Sequence, residues 1–392
     1  MGINAFPGDI KSTYQATAPT NPRVGDIWVD SSSDIASVDL IPSKITGHNL
    51  LHNGAMQIHQ RGTSTASITT SDFYTADRWW AVVGTLGTWT QSVENDAPTG
   101  SGFRKSLKML CTTADASPAA GDYAFVRQRI EGQNLQSVKK GTPAAEKLTI
   151  SFWVKSNKTG VYVLEMYDED NARIVASTYT VDASDTWEQK TITFPADTTG
   201  AWNNDNDSSL QVNFWFASGS NFTSGTLRTT WAAYNAADRA VGVTNLASAT
   251  NQYWQITGVQ LETGPSATNY QFKDLGQELA ECQRYYYRLG GAANFPLGLG
   301  VYTSSTEIDI LLKHPVRMRS GPTPSFSSGT NHFFAQSAGA GIDYFDTFTA
   351  GFVNGTDCNG IYVSSGVSST AGQACNVVIF DAAGYVAFSA DL

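Results

Sequence analysis

Residues 148–156, LTISFWVKS, alternate so that Leu148, Ile150, Phe152 and Val154 share one face. GVYVLEMYDEDN at 160–171 repeats the pattern from Val161 and Val163 and runs into a turn at DEDN. RIVASTYTV, EQKTITFPA, LQVNFWFAS and YWQITGVQLE follow, each bounded by polar or glycine-bearing segments. Alternation of period two, sustained over five or more segments with polar loops between them, predicts an antiparallel sandwich. The chain is therefore expected to be all-β, with one large sandwich body over residues 48–272.

The pattern changes at KDLGQELAECQRYYYRL. Leu275, Leu279, Cys282, Tyr286 and Leu289 fall at alternating spacings of four and three, a helical seam. The seam is short. A helix lying on a sheet, with RYYYRL already a strand, is the favoured arrangement, and residues 273–290 are expected to be a helical junction. Beyond GGAANFPLG, the segments TEIDILLKHP, GIDYFDTFTAGFV, CNGIYVSSG, NVVIFDAAG and YVAFSADL read as strands with glycine-rich turns. They predict a second β-sandwich, a tip, over residues 291–392, with the final strand built into the fold.

Residues 1–47 differ from both. TAPTNPRVGDIWVDSSSD is rich in Pro, Ser, Thr and Asp around one apolar island, and cannot bury a core of its own. Such a segment is expected to be an extended arm that docks on something else. Phe6, Ile27, Trp28 and Val29 are its contact candidates; the alternative is a linker folding back on the body.

Composition narrows the function. Hydrophobic residues make up 41% and charged residues 15%, which excludes a disordered chain. A net charge of −10 with no basic stripe argues against nucleic-acid binding. No run approaches the roughly 18 apolar residues of a membrane span. MGINAFPGDI lacks the basic and apolar regions of an export signal, so synthesis and assembly in a cytoplasm are expected. Cys111, Cys282, Cys358 and Cys375 are far apart, and no CxxC pair suggests zinc. Cys358 and Cys375 could pair on neighbouring strands, but free buried thiols are favoured. The Asp-x-Asp pairs Asp168/Asp170 and Asp205/Asp207 have spacing that suits calcium, yet no full EF-hand loop is present, and solvated turns are favoured. No cofactor or metal is expected. GxSxG, HExxH and P-loop motifs are missing, and no period of roughly 20-odd residues marks a depolymerase β-helix. The chain is not expected to be an enzyme.

Several motifs together carry a resemblance. NLLHNGAMQIHQRG, FYTADRWW, KLTISFWVKS, YWQITGVQLETGPSATNY and LAECQRYYYRL, with HPVRMRSGPT and the closing GYVAFSADL, resemble a family of bacteriophage tail-fibre and virion structural proteins. The central part is similar to the jelly-roll fold of carbohydrate-binding modules, in which an Asp-Arg-Trp and a closing Gln-Leu-Glu-x-Gly recur. The resemblance covers about residues 49–392. It implies a homotrimer in the virion, held to a tail or adaptor protein by its N-terminal arm. It also implies binding to a host-surface glycan or outer-membrane receptor during adsorption. A structural connector or head fibre without a receptor is the alternative.

The pattern implies that Trp79 is a core residue beside Asp77 and Arg78, and leaves Trp80 and Trp89 open between core, surface and interface. Better sugar-facing candidates are Trp202 in AWNNDNDSS and Trp231 in TTWAAYN, where a ring sits among groups able to bond hydroxyls. The competing reading is that both tryptophans cover the sandwich end. In the tip, Tyr344, Phe348 and Asn354 are receptor candidates. Tyr344 and Phe348 are expected on one strand face and Phe345 on the other.

Overall fold

The computed structural model describes residues 12–15, 27–30, 48–337 and 341–392. The chain divides into two compact units, residues 1–46 and 47–392. In the first, β1 (Ser12–Gln15) pairs in parallel with β2 (Ile27–Asp30), which carries Ile27, Trp28 and Val29. Phe6 lies outside the described residues.

The second unit begins with the predicted sandwich. Its strands are β3 (Ser64–Ile68), β4 (Asp72–Phe73), β5 (Trp80–Gly84), β6 (Thr88–Glu94), β7 (Ser106–Thr113) and β8 (Tyr123–Glu131). There follow β9 (Leu148–Ser156), β10 (Gly160–Asp168), β11 (Arg173–Val181), β12 (Glu188–Phe194), β13 (Ser208–Ser218), β14 (Ala232–Ala233) and β15 (Tyr253–Thr263). One sheet has the order β12-β9-β15-β7-β6-β3 and the other β14-β11-β10-β13-β8-β5-β4. Between β3 and β15, every strand pair in the two sheets is antiparallel. Trp79, Trp89, Phe152, Phe214, Phe216 and Trp254 fill the space between the sheets. Their indoles are bonded: Trp79 Nε1 donates to Asn53 O (3.0 Å), Trp89 Nε1 to Leu86 O (2.7 Å) and Trp254 Nε1 to Tyr179 Oη (3.0 Å). Trp79 and Trp89 are thus both core, whereas Trp80 is half-buried on the outer face of the seven-stranded sheet. Burying such rings supplies much of a sandwich's stability.

The motifs behind the resemblance meet at one corner. Asn49 Nδ2 donates to Val259 O (3.0 Å), and its Oδ1 accepts from Leu261 N (3.0 Å), which ties the opening loop to the closing QLE strand. Gly54 is required there, because a Cβ would stand 2.1 Å from Val259 O. Asn53 Nδ2 donates to Ile58 O and Asp77 O, locking the loop to Asp77. Asp77 accepts from the backbone and side chain of Gln60. Burial raises its carboxyl to about 6, although Arg61 and Gln60 oppose that shift.

The junction takes the favoured form, a short helix followed by a strand. The helix α2 spans Leu275–Gln283, capped by Asp274, whose side chain accepts from Gly276 N. Its buried residues are Glu278 and Cys282, while Leu275 is 62% exposed. The helix packs a polar face on the sandwich corner, not a leucine seam: Asn53 N donates to Glu278, and His52 Nδ1 lies 2.9 Å from Glu281. Tyr286 and Leu289 belong to the next strand, β16 (Tyr286–Gly290).

The remaining strands are β17 (Phe295–Ser304), β18 (Glu307–Lys313), β19 (Thr323–Phe326), β20 (Phe333–Ser337), β21 (Gly341–Phe345) and β22 (Thr349–Asn354). They are followed by β23 (Cys358–Val363), β24 (Ala374–Ile379) and β25 (Tyr385–Ser389). A three-stranded sheet, β16-β25-β19, faces a seven-stranded one, β21-β20-β24-β17-β18-β23-β22, across a core that includes Phe333, Phe345, Ile361 and Phe388. Sandwich and second module are joined by arginines. Arg78 lies 3.4 Å above the Tyr285 ring and Arg61 3.5 Å above Tyr286, and both approach Asp391. Arg284 pairs with Glu131 at 2.8 Å. The four cysteines are free; Cys358 and Cys375 lie on β23 and β24, separated by β18 and β17. Among the described residues, no helix is long and apolar enough to cross a membrane.

Candidate binding cleft

The outer face of the sandwich's seven-stranded sheet is organised in cross-strand rows. Strand residues two apart share a face, so the register determines which side chains become neighbours. Val82, Phe125, Trp215 and Val163 form an apolar row. Beside it run Trp80, Arg127, Asn213 and Glu165, and beyond them Arg129, Gln211 and Tyr167. The long β13–β15 connection carries a short helix, α1 (Ser220–Thr223), and arches back over the apolar row. Phe222, Leu227, Ala240 and Val243 pack on that row. At its edge lies a cleft of about 370 Å3, lined by Val82, Phe125 and Trp215 of the apolar row together with Arg127, Tyr167, Gln211, Tyr234 and Arg239.

The floor is charged and braced. Arg239 forms a two-pronged pair with Glu165, at 2.6 Å from Nε and 2.9 Å from Nη2. Glu165 also accepts from Asn213 Nδ2 and Trp215 Nε1, each at 2.9 Å. Burial works against the Arg239 charge, but Glu165 more than offsets it and holds the guanidinium above its usual range. Arg129 lies 3.5 Å from Glu169. Arg127 Nη1 donates to Gln211 Oε1 (3.1 Å), and its guanidinium lies 4.2 Å from the Trp80 ring centre. Burial, followed by repulsion from Arg129, pushes Arg127 down to about 9 against the attraction of Glu169. Tyr167 and Tyr234 meet at 5.4 Å, and Tyr234 is 42% exposed, leaving an aromatic surface at the rim. The arrangement offers rings for apolar C–H faces and fixed donors and acceptors for hydroxyls.

The predicted site residues lie elsewhere. Trp202 and Trp231 do come together, but around a buried cation: Lys140 Nζ lies 5.5 Å and 5.6 Å from their rings. Lys140 is held by Asp168 (2.6 Å) and Asp197 (3.1 Å). Trp202 is 6% exposed and Trp231 half-buried with Nε1 donating to Pro195 O (3.0 Å). Trp202 packs at the end of the sandwich, where it lines a cavity of about 340 Å3 with Leu135, Gln136, Lys139 and Thr142. The Asp-x-Asp carboxylates have similar duties, Asp168 on Lys140 and Asp170 on Asn203. Among the described residues, no group of three or more His, Cys, Asp or Glu side chains could hold a metal ion.

In the second module, Phe348 is also a correction. Strand β21 ends at Phe345, and the chain turns before Phe348, so both rings enter the core and touch at 5.0 Å. Tyr344 is 40% exposed on edge strand β21, against Phe334 and Phe380. Asn354, on the opposite edge strand, accepts from Asn359 Nδ2 (3.1 Å). The structure does not bring Tyr344 and Asn354 together.

A larger cavity, about 730 Å3, lies where α2 meets the sandwich, with His52, Lys273, Glu281, Arg284 and Arg319 in its wall. Its charges serve the junction: Lys273 and His52 hold Glu281, Arg284 holds Glu131, and Arg319 donates to backbone carbonyls.

The cleft residues Arg127, Gln211, Tyr167 and Arg239 were missed from sequence, although the signal was present. LQVNFWFAS puts Gln211, Asn213 and Trp215 opposite its apolar face, and YAFVRQRIE does the same with Arg127 and Arg129. Only the strand order makes them one surface.

No family model matches the sequence, and no curated protein matches it. Among solved structures, the chain is similar to the enzymatically active domain of bacteriophage CBA120 tailspike protein 4. There the identity is 15%, the match covers 55% of this chain and 21% of that one, and the TM-score is 0.30. It is similar to TmCBM61 in complex with β-1,4-galactotriose, at 10% identity over 55% of this chain and 99% of that one, with a TM-score of 0.27. It is also similar to a family 11 carbohydrate-binding module from Clostridium thermocellum in complex with a β-1,3-1,4-mixed-linked tetrasaccharide. That match has 10% identity, covers 52% and 98% of the two chains, and has a TM-score of 0.27.

Proposed function

We propose that this protein is a glycan-binding fibre of a phage particle, and that the cleft on the sandwich's outer sheet face holds the host-surface sugar. The observation that carries this reading is the cleft itself. It is a concave site at the small end of the range for ligand pockets, with a few polar groups converging on an aromatic rim. Those polar groups are fixed by cross-strand register and ion pairs, so little ordering remains to be done when a sugar arrives. The motif resemblance supplies the setting: a homotrimer attached to a tail or adaptor through its N-terminal residues, with Ile27, Trp28 and Val29 as docking contacts. Three copies of a weak site on one fibre would bind a glycan-coated cell far more tightly than one.

The test is direct. Purified protein is incubated with host cells and with isolated host polysaccharide, alongside Gln211→Ala/Tyr234→Ala protein. Adhesion without polysaccharide cleavage, lost in the double variant, is expected. Adhesion that survives in the folded double variant would remove the cleft from this role. Polysaccharide cleavage would make the protein an enzyme, and no adhesion at all would leave a connector. Light scattering on the same material checks the trimer.

A further inference from the structure

We propose that the cleft selects an acidic saccharide, a sugar bearing a carboxylate, with Arg127 as its counter-charge; the inference rests on the glycan-binding reading above. Arg127 and Arg239 line the cleft, and Arg129, Glu165 and Glu169 lie behind them: three guanidiniums against two carboxylates. Arg239 is satisfied by Glu165 and Arg129 by Glu169. Arg127 is left over. Among the described residues it forms no ion pair: its contacts are the neutral Gln211 amide and the Trp80 ring, its Nε is buried without a hydrogen bond, and Glu169, paired with Arg129, attracts it only from a distance. A half-buried guanidinium without a directly bonded carboxylate is unfavourable, and a charge-assisted, two-pronged bond to a carboxylate is the interaction that its planar fork fits best.

Position supports the assignment. Arg127 occupies the middle of its row, between Trp80 and Asn213, and lines the cleft directly. A ring placed against Tyr234 at the rim would therefore project a substituent toward a positive floor. The local excess of positive charge stands out in a chain whose net charge is −10. Burial together with Arg129 and Arg239 pushes the Arg127 pKa down, and a bound anion would relieve that strain on its charge.

The experiment is calorimetry on the whole protein with matched pairs of probes: 3′-sialyllactose against lactose, and an oligogalacturonate against its methyl ester. A phosphorylated oligosaccharide forms a third arm. The acidic member of at least one matched pair should bind about tenfold more tightly or better, the equivalent of one charge-assisted bond. That preference should weaken as salt rises. In Arg127→Gln the acidic-to-neutral ratio should fall to about one, whereas Arg127→Lys should retain part of it. Leu311→Ser, in the other module, should leave the ratio unchanged. Equal binding of acidic and neutral members, or a preference that survives in folded Arg127→Gln, overturns the acidic selectivity and leaves the glycan reading standing. Selectivity only for the phosphorylated probe overturns the carboxylate assignment. No binding of any probe at millimolar concentration overturns both. Because the salt dependence is read on the unaltered protein, the proposal stays open to refutation even if a variant fails to fold.

Discussion

The molecule has two seven-stranded sheets, each with one face on a core, and their other faces differ sharply. In the sandwich that face carries Trp80, Arg127, Asn213, Glu165, Gln211 and Tyr167, linked by ion pairs and amides. In the second module it carries Leu299 (73% exposed), Leu311 (58%), Val301 (46%) and Ile342 (44%). The alternation that produces a sheet is the same in both cases. What differs is the connection: the β13–β15 segment returns over the first sheet and makes a cleft, whereas on the second sheet the four aliphatic side chains stay exposed among Asp309, Asn376 and Gln336. A cleft suits a small ligand held by directional bonds. An open face with exposed aliphatic side chains suits broad contact with another surface, and exposed apolar area commonly marks an interface.

The contrast can be broken most directly by removing the cleft's buried charge. Glu165→Ala leaves Arg239 uncompensated and should cost about 3 to 5 kcal/mol of stability in urea unfolding. Leu299→Ser on the other sheet face should stay within about 0.5 kcal/mol, as surface substitutions do. Equal losses would show that the two faces are not built differently.

The next test asks whether both sheets belong to one cooperative unit, through the junction. Burial works against the Glu281 charge, but bonds from His52 and Lys273 win and lower its carboxyl to about 2 from 4.5. Burial also keeps His52 toward its neutral form, so Lys273 supplies the charge opposite Glu281. A depressed carboxylate contributes stability that is complete above about pH 4.5 and is lost as pH falls toward 2. That contribution is about 3 kcal/mol. Glu281→Gln should flatten the stability profile across that window, and a single unfolding transition should be seen for both modules. An unchanged profile would remove Glu281 from the coupling.

Tyr234→Ala addresses the rim. It should weaken glycan binding by up to about tenfold, the worth of one aromatic contact, with melting temperature unchanged. A drop in melting temperature instead would make Tyr234 part of the roof's packing. The smallest expected effect on stability is Leu311→Asp, within about 0.5 kcal/mol. If the second sheet's open face joins copies of the chain, sedimentation should nevertheless show smaller assemblies for that variant, while intact assemblies would free the face for another partner.

The sandwich was legible because alternation survives in almost every strand, and Trp79 could be placed in the core from its motif. Register was not legible. Gln211, Arg127 and Tyr167 are distant in sequence, and only the β10-β13-β8 order sets them side by side. Side-chain surroundings were not legible either. Trp202 lies among amides and acids in the sequence, and Lys140 with its two aspartates sits beside its ring in the fold. Phe348 shares strand parity with Tyr344, but the strand stops at Phe345. Parity predicts a face only while the strand lasts. The junction was legible as a helix running into a strand; what the spacing did not show is that the helix buries Glu278, a polar group with a donor waiting in Asn53.

The contacts of Arg61 and Arg78 with Asp391 also have a consequence for how the protein is made. Arg61 and Asp391 are 330 residues apart in the chain. At a synthesis rate on the order of 5 to 20 residues per second, the sandwich strands leave the ribosome well before Asp391 exists. During that interval Arg61 has Asp77 but neither arginine has Asp391, and Tyr285 and Tyr286 arrive before it does. The corner is therefore among the last parts of the body to become native, although its loop is translated early. Ribosome-stalled chains ending before residue 391 should expose that corner to protease while the tryptophan core is already shielded.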